Sequence, residues 1–478
     1  MKPRDRGEGR REQREDAASP RDGAASPREG RATFPIKSRG VAIRVLERVT
    51  EEGAYASAAL DAELGRARLD PRDAGLATAI VYGTLRVLPE LDRLIAARLH
   101  RPGSKLDPVL SAALRAGCYQ LGYLERVPAH AVVDECVSAV RAARGPKLAA
   151  VANAVLRKLA VELSGQAGTR PGLVLPAWLD AQLERALTPE RRAAWLRAND
   201  EPPGLCLRVA ADVDRAAFAD ELRAARPDAE IELGVLSPRA LLLRRAGDPR
   251  LLPGYADGRF SVQEEGAQLI AASLGAQPGE RVADLCAGHG GKSVWLAEAV
   301  GASGQVLAVD VDERKLDKLG HELQRLQLAD GRVQTRTIDL SVGSGGLGPE
   351  LDRVLVDAPC SGLGTLRRRP ELALRVAPED PARLAALQLA ILKSAARLVR
   401  PGGLLLLAVC SPLAVEGPEL ARQLERALPE LVPCPELGAP PTGFQSDSDG
   451  VTRVGPWHQR GGAVSPDLYQ LVAWRRPR

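Results

Sequence analysis

Long apolar runs are missing from this 478-residue chain, and none approaches the roughly 18–20 residues that a membrane-spanning helix needs. The opening Met1-Lys2-Pro3-Arg4-Asp5-Arg6 has no apolar stretch of the secretory kind. Cys-x-x-Cys does not occur and the five histidines are scattered, so no protein metal site is expected. The seven cysteines are odd in number and widely spaced, which excludes a disulfide framework and points to reduced thiols in the cytoplasm. A strong charge of one sign is lacking too. The net charge is +5, and residues 1–31 carry nine Lys/Arg against seven Asp/Glu, so that stretch supplies +2 and the rest +3. Such a balance permits a nucleic-acid partner without demanding one. Aromatic residues make up 3% and Met occurs once, beside abundant Ala, Leu and Arg; this reflects base composition and excludes no function.

With 45% hydrophobic and 27% charged residues, the chain reads as a globular protein of two to four domains. Residues 1–34 mix Arg, Glu, Ser, Pro and Gly without periodicity and are expected to be a disordered tail. Residues 35–165 show helical spacing, as in Leu110, Leu114, Cys118 and Leu121, broken at Pro102-Gly103, Pro128 and Gly145-Pro146; a bundle of short helices is expected. Residues 166–257 suit a small α+β subdomain, with a helix over 178–187 and strands over 205–209 and 240–243 flanking a helix around 216–224. From 258 to 478, apolar strands alternate with longer amphipathic stretches, the pattern of an α/β domain with a parallel sheet. Strands are expected over 282–285, 306–309, 333–338, 353–356, 404–409 and 468–474, with Asp284, Asp310, Asp339 and Asp357 at or near strand ends.

Two of the cysteines sit about fifty residues apart at such ends. Cys360 follows Val354-Leu355-Val356-Asp357-Ala358-Pro359, and Cys410 follows Leu404-Leu405-Leu406-Leu407-Ala408-Val409. Open α/β sheets place their ligands at this carboxyl edge, so a thiol pair there points to thiol chemistry on a bound substrate. A lone strand cysteine is more often a small core hydrophobe, the reading given to Cys118, Cys136 and Cys206. The first strand of the sheet runs into Cys286-Ala287-Gly288-His289-Gly290-Gly291-Lys292 before a helix, and Asp310 ends the next strand. Glycines let backbone approach a ligand at a helix N-terminus, and an acid at the second strand end can take ribose hydroxyls; the arrangement fits a nucleoside cofactor. The adjacent Arg367, Arg368 and Arg369 stand just beyond Cys360 and are expected to hold RNA phosphates.

These residues carry a family resemblance. Asp357-Ala358-Pro359-Cys360-Ser361-Gly362-Leu363-Gly364 with Arg367-Arg368-Arg369-Pro370-Glu371, the Cys410-Ser411 strand end, and Phe260-Ser261-Val262-Gln263-Glu264 resemble the RNA 5-methylcytosine methyltransferases of the Nol1/Nop2/Sun family. Val81-Tyr82-Gly83-Thr84-Leu85-Arg86, Val127-Pro128-Ala129-His130-Ala131 and Val151-Ala152-Asn153-Ala154-Val155-Leu156-Arg157 resemble the NusB-like RNA-binding domain of its RsmB branch. The resemblance spans about residues 36–475 and implies an all-α NusB-like bundle, a linker subdomain and a class I, Rossmann-like methyltransferase domain. It implies S-adenosylmethionine as cofactor, held by Cys286, Ala287, Gly288, His289, Gly290, Gly291 and Lys292, with Asp310 at the ribose, Asp339 near the adenine and Asp357 close by. Cys410 would be the nucleophile that adds to C6 of the cytosine, Cys360 the second thiol that assists release, and Asp357 a hydrogen-bond partner of the base. Gln263 and the three arginines would contact RNA, with 16S ribosomal RNA or an assembling small subunit as partner and a cytoplasmic monomer as the acting form. No metal or membrane is implied.

The chain departs from the family pattern in three places. The cofactor loop usually reads Cys-Ala-Ala-Pro-Gly-Gly-Lys, and here Gly288 and His289 replace Ala and Pro. After Cys410 the Pro-Glu-Glu-Asn segment is reduced to Glu416, with Gly417 in the Asn position. The Lys-Trp that usually follows the Arg-Pro-Glu stretch is replaced by Leu374-Arg375. Three other readings stay open on these residues: a catalytically silent RNA-binding assembly factor, a methyltransferase of another RNA such as tRNA, and a DNA-type enzyme in which Cys360 of Pro359-Cys360 attacks.

Overall fold

The computed structural model describes residues 37–101, 103, 105–163, 172–201, 203–437, 444–458 and 465–478; the expected tail, 1–34, lies outside them. The helical region comprises α1 (Ser38–Glu51), α2 (Ala56–Ala67), α3 (Pro71–Arg86), α4 (Leu88–Ala96), α5 (Pro108–Tyr123), α6 (Ala129–Arg144) and α7 (Pro146–Glu162). Its starts are chemically marked. Asp70 caps α3 by accepting from the Asp73 amide, and Asp107 caps α5 by accepting from Val109 and Leu110, each with proline as the first helical residue. The core of this bundle is aliphatic, with Leu46, Leu85, Leu114, Val140 and Leu156 wholly or almost wholly buried.

The linker subdomain holds α8 (Ala177–Ala186), α9 (Pro189–Asp200), β1 (Leu205–Val209), α10 (Arg215–Ala225), β2 (Glu230–Leu233), β3 (Ala240–Arg244) and β4 (Phe260–Val262). Its antiparallel sheet has the order β2-β3-β1-β4. This differs from the sequence reading at one boundary. The Phe260–Val262 segment falls within the stretch assigned to the C-terminal domain, yet it pairs with β1, Arg208 opposite Ser261. Three residues are too few to carry a periodicity that would tell one sheet from another. α9 and β2 were likewise unmarked by apolar spacing.

The C-terminal domain continues with α11 (Glu265–Ser273), β5 (Arg281–Leu285), α12 (Gly291–Val300), β6 (Gln305–Asp310), α13 (Glu313–Arg325), β7 (Val333–Thr337), β8 (Leu351–Asp357), α14 (Leu372–Arg375), α15 (Asp380–Leu398), β9 (Val399–Val409), α16 (Pro418–Ala427), β10 (Val432–Pro433), β11 (Thr452–Val454) and β12 (Tyr469–Arg475). The sheet order is β10-β12-β9-β8-β5-β6-β7, with β11 on β12. β7, β6, β5, β8 and β9 run parallel, and β12 is antiparallel to β9. The chain leaves β5 toward β6 and β7, then returns to β8 on the other side, so the switch point lies between β5 and its two neighbours. Apolar side chains fill both faces, Val354, Leu405 and Trp474 in one layer and Leu355, Leu406 and Leu296 in the other. The six expected strands all form, β8 and β9 each starting earlier than their apolar runs.

The subdomains are joined by buried polar contacts. Arg208, 1% exposed, donates to Ser261 Oγ at 3.1 Å and pairs with Glu298 on α12, which Arg239 also meets at 2.6 Å. The bundle meets the C-terminal domain at the Arg367–Arg375 stretch: Arg86 donates to the Arg367 carbonyl at 2.9 Å, Glu371 accepts from the Ala56 amide at 3.1 Å, and Arg375 donates to the Val49 carbonyl at 2.9 Å. Removing one member of a buried ion pair strands the other charge. Arg208→Ala should therefore lower stability by about 3 kcal/mol, the low end for a broken buried pair because Arg239 remains on Glu298. The check is a shifted urea midpoint at unchanged slope.

Candidate functional site

β5 ends in a turn whose backbone is unusual. Cys286 has φ +71°, Gly288 +57° and Gly290 +81°, the last starting α12. A Cβ at Gly290 would sit 2.2 Å from Leu319 Cδ1, so both the left-handed conformation and the helix packing require glycine there. The Ala287 amide donates to the Val309 carbonyl at 2.8 Å and fixes the loop to β6. Asp310, at the end of β6, accepts from the Gly288 and Asp312 amides, each at 2.9 Å. Asp339 is exposed beyond β7 and accepts from the amide and hydroxyl of Ser341.

Asp284 is buried within β5; its Oδ2 accepts from Ser293 Oγ at 2.6 Å while its Oδ1 has no protein partner. Burial pushes its carboxyl up to about 6. An orphaned buried oxygen beside a left-handed glycine loop and a helix N-terminus fits a polar ligand at that spot. His289 projects to the surface, and an added Cβ at Gly288 meets nothing within 4 Å, so the two replaced loop residues leave the turn itself intact.

The thiols meet at the next two strand ends. β8 and β9 pair in parallel with Asp357 opposite Ala408, and the ladder runs out with the Ala358 amide donating to the Ala408 carbonyl at 3.1 Å. Just beyond it, Cys360 Sγ and Cys410 Sγ lie 3.1 Å apart. The turn after Cys360 folds back so that the Gly364 amide donates to the Cys410 carbonyl at 2.9 Å and the Gly364 carbonyl accepts from Leu468 at 3.0 Å. A Cβ at Gly364 would fall 2.1 Å from the Leu468 oxygen, so only glycine permits that return. The hydrogen bond with Cys410 raises the Cys360 thiol well above the usual range, and burial and the neighbouring charge add to it. Lys292, from the loop after β5, forms an ion pair with Asp357. Burial alone would lower its ammonium, but Asp357 and Asp284 outweigh that and hold it charged.

The structure thus gathers Cys410, Cys360, Asp357 and Lys292 at one point, with the Cys286–Gly291 loop and Asp310 alongside. It does not do so for the arginine run. Arg367 is 3% exposed, donating to the Ser465 carbonyl and facing Asp467, and Arg368 pairs with Asp467 at 3.1 Å and donates to the Gly204 carbonyl. The expectation that these two hold phosphates is corrected: they are structural cations around a buried acid. Arg369 alone of the run is exposed, with its guanidinium 5.4 Å from the Tyr55 ring centre. Gln263 is also buried rather than displayed, with its amide beside Gly291 and its Oε1 without a protein partner. Sequence reasoning gave Glu416 no role. It lies buried beneath the thiols, bonded to Ser361, Ser411 and Gln388, and its survival in an otherwise altered segment was the available signal.

Comparison with known proteins gives two family matches: 16S rRNA methyltransferase RsmB/F over residues 271–437 and the NusB family over residues 36–161. Ribosomal RNA small subunit methyltransferase B of Pseudomonas putida is 35% identical over 80% of this chain and 88% of its own. The protein of that name from Vibrio vulnificus is 34% identical over 80% of this chain and 89% of its own. Among solved structures, the crystal structure of PH0851 superposes with a TM-score of 0.77 at 22% identity, covering 93% of this chain and 99% of that one.

The thiols themselves offer a test. Burial pushes Cys118 and Cys136 up to about 12, so they stay protonated until pH rises through that value, and iodoacetamide at pH 8 should leave both unmodified in the folded protein. Cys360 should alkylate several-fold faster in Cys410→Ala than in the parent, because its proton is held chiefly by the Cys410 sulfur. Peptide mass mapping over time reads both.

Proposed function

The chain belongs to the RsmB/F 16S rRNA methyltransferase family, with a NusB-like domain ahead of an S-adenosylmethionine-dependent RNA methyltransferase domain, and on that premise we propose that it methylates C5 of a cytosine in 16S ribosomal RNA through a covalent Cys410–C6 bond. The observation that carries this reading is the pair of sulfurs 3.1 Å apart beside the Lys292–Asp357 ion pair. Aromatic C5 is a weak nucleophile, and addition of a thiolate to C6 makes it enamine-like. The Cys286–Lys292 loop, Asp310 and Asp339 would hold S-adenosylmethionine, which would supply the electrophilic methyl group.

Cys410 Sγ forms the bond to C6 while Asp357, oriented by Lys292, hydrogen-bonds the edge of the base. The target base must leave its stack to reach a site at the sheet edge. Cys360 is held protonated chiefly by its hydrogen bond with Cys410 and also by that neighbour's charge. Those two influences fall away once the Cys410 electron pair is committed to carbon, while burial remains. Once C5 had taken the methyl group, Cys360 would lose its proton to solvent and, as thiolate, take the proton from C5. The C5–H electrons form the C5–C6 double bond, and the C6–S bond breaks to return Cys410 as thiolate.

Of the arginine run, Arg369 is left to meet phosphate. Among the described residues no helix is long and apolar enough to cross a membrane, and no metal cluster occurs. A monomer acting in the cytoplasm on rRNA or an assembling small subunit completes the reading.

Labelled methyl transfer to a 16S transcript tests it. Label at cytosine C5, lost by more than about 10³-fold in Cys410→Ala, with RNA trapped on Cys360→Ser in denaturing gels, is the expected result. Trapping on Cys410→Ala instead would exchange the roles of the thiols. Tight RNA binding with no transfer to free or subunit RNA would point to a silent assembly factor.

A further inference from the structure

Beyond the paired strands, one buried acid touches both thiol-bearing loops. Glu416 is fully buried on the segment after Cys410. Its Oε1 accepts from the Ser361 amide at 2.8 Å and from Gln388 Nε2 at 3.2 Å. Its Oε2 accepts from Ser361 Oγ and Ser411 Oγ, each at 2.6 Å. Ser361 follows Cys360 and Ser411 follows Cys410, and the two hydroxyl oxygens lie 3.1 Å apart. Four donors converge on two oxygens, the full complement for a buried carboxylate. Gln388 also donates to the Pro359 carbonyl at 2.8 Å, one residue before Cys360.

The arrangement is lopsided. Cys410 directly follows β9, a strand held by ladders to β8 and β12 on both sides, and Gln470 additionally donates to the Ser411 carbonyl at 2.7 Å. Cys360 stands in a turn with no ladder of its own. Glu416 grips that turn twice, through the amide and hydroxyl of Ser361, and a third time through Gln388. It touches the Cys410 side by one hydroxyl.

We propose that Glu416 is a positioning residue for Cys360: it fixes the second thiol within reach of the C5 proton and thereby sets the rate of adduct release, with little influence on attack. The proposal rests on the covalent two-thiol reading. In the release step Cys360 takes the C5 proton, the C5–H electrons become the C5–C6 double bond, and the C6–S bond breaks to give the Cys410 thiolate. A misplacement of Cys360 by about 1 Å would slow this step by roughly 10–100-fold and leave the earlier bond formation intact. Methylated RNA would then remain bound to Cys410 although Cys360 is present.

The test compares Glu416→Gln, Ser361→Ala and Ser411→Ala, each in the full-length protein with cofactor and 16S transcript. Thermal unfolding and S-adenosylmethionine affinity report folding. Glutamine keeps the size of Glu416 but replaces one charged acceptor of the Ser361 and Ser411 hydroxyls with an amide donor. The expected result is a lowered kcat with unchanged KM for RNA, and covalent RNA on denaturing gels in Glu416→Gln and, more weakly, Ser361→Ala. Ser411→Ala should accumulate little. Turnover near the parent's with no adduct in folded Glu416→Gln overturns the proposal, as does loss of trapping when Glu416→Gln is combined with Cys360→Ser. Should Glu416→Gln fail to fold, Ser361→Ala decides, and equal adduct in Ser361→Ala and Ser411→Ala rejects the lopsided grip. If Cys360→Ser alone traps no RNA, the covalent reading itself has failed and the inference falls with it.

Discussion

Parallel pairing of β8 with β9 is the constraint on which the site depends. The register that sets Asp357 opposite Ala408 brings two exits, fifty residues apart in sequence, to the same height on one sheet edge. A slip of one residue would turn the side chains of one strand to the other face and separate the thiols. The register is held by buried aliphatic side chains on both faces, Val354 and Leu405 in one layer, Leu355 and Leu406 in the other. The chemistry of two sulfurs is thus set by the packing of leucines and valines that never meet the substrate.

Much of this was legible because it is local. Apolar runs of four to six residues bounded by turn formers marked the strands, and the acids and thiols at their ends followed by position alone. What escaped was what depends on distant partners. Three adjacent arginines look like a solvated face, and nothing near Arg367 in sequence announces that Asp467, a hundred residues later, lies beside it. Phe260–Val262 could join either sheet, and only β1 decides the matter. α9 carries no apolar stripe, burying Trp195, Ala198 and Asn199 alone. Glu416 shows the same limit from the other side: its presence was noted, but a buried acid has meaning only through Ser361 and Gln388, 55 and 28 residues away.

The polar links between subdomains have a cost that the aliphatic core does not. Arg208 and Arg367 are drawn down by burial, the direction expected when a charge leaves water. Apolar pairs of similar volume would often be at least as stable, so such contacts are better read as fixing geometry than as adding strength. Arg86, Glu371 and Arg375 tie the helical bundle to the same stretch of chain that begins at Cys360. The helical bundle therefore rests on the same continuous stretch of backbone that carries the second thiol.

β12 is the last element of the site in chain order, and it does three things at once. It closes the open side of β9, its Gln470 holds the backbone beyond Cys410, and the residues just before it supply Asp467 to the arginines and the Leu468 amide to Gly364. Chains grow from the amino end, and domains fold as they emerge. A nascent chain that has already made both cysteines, the cofactor loop and the helical bundle still has β9 as a bare edge and its second thiol loop unsupported. β9 gains its second neighbour, and the turn after Cys360 its Leu468 hydrogen bond, only once residues 465–475 have been made.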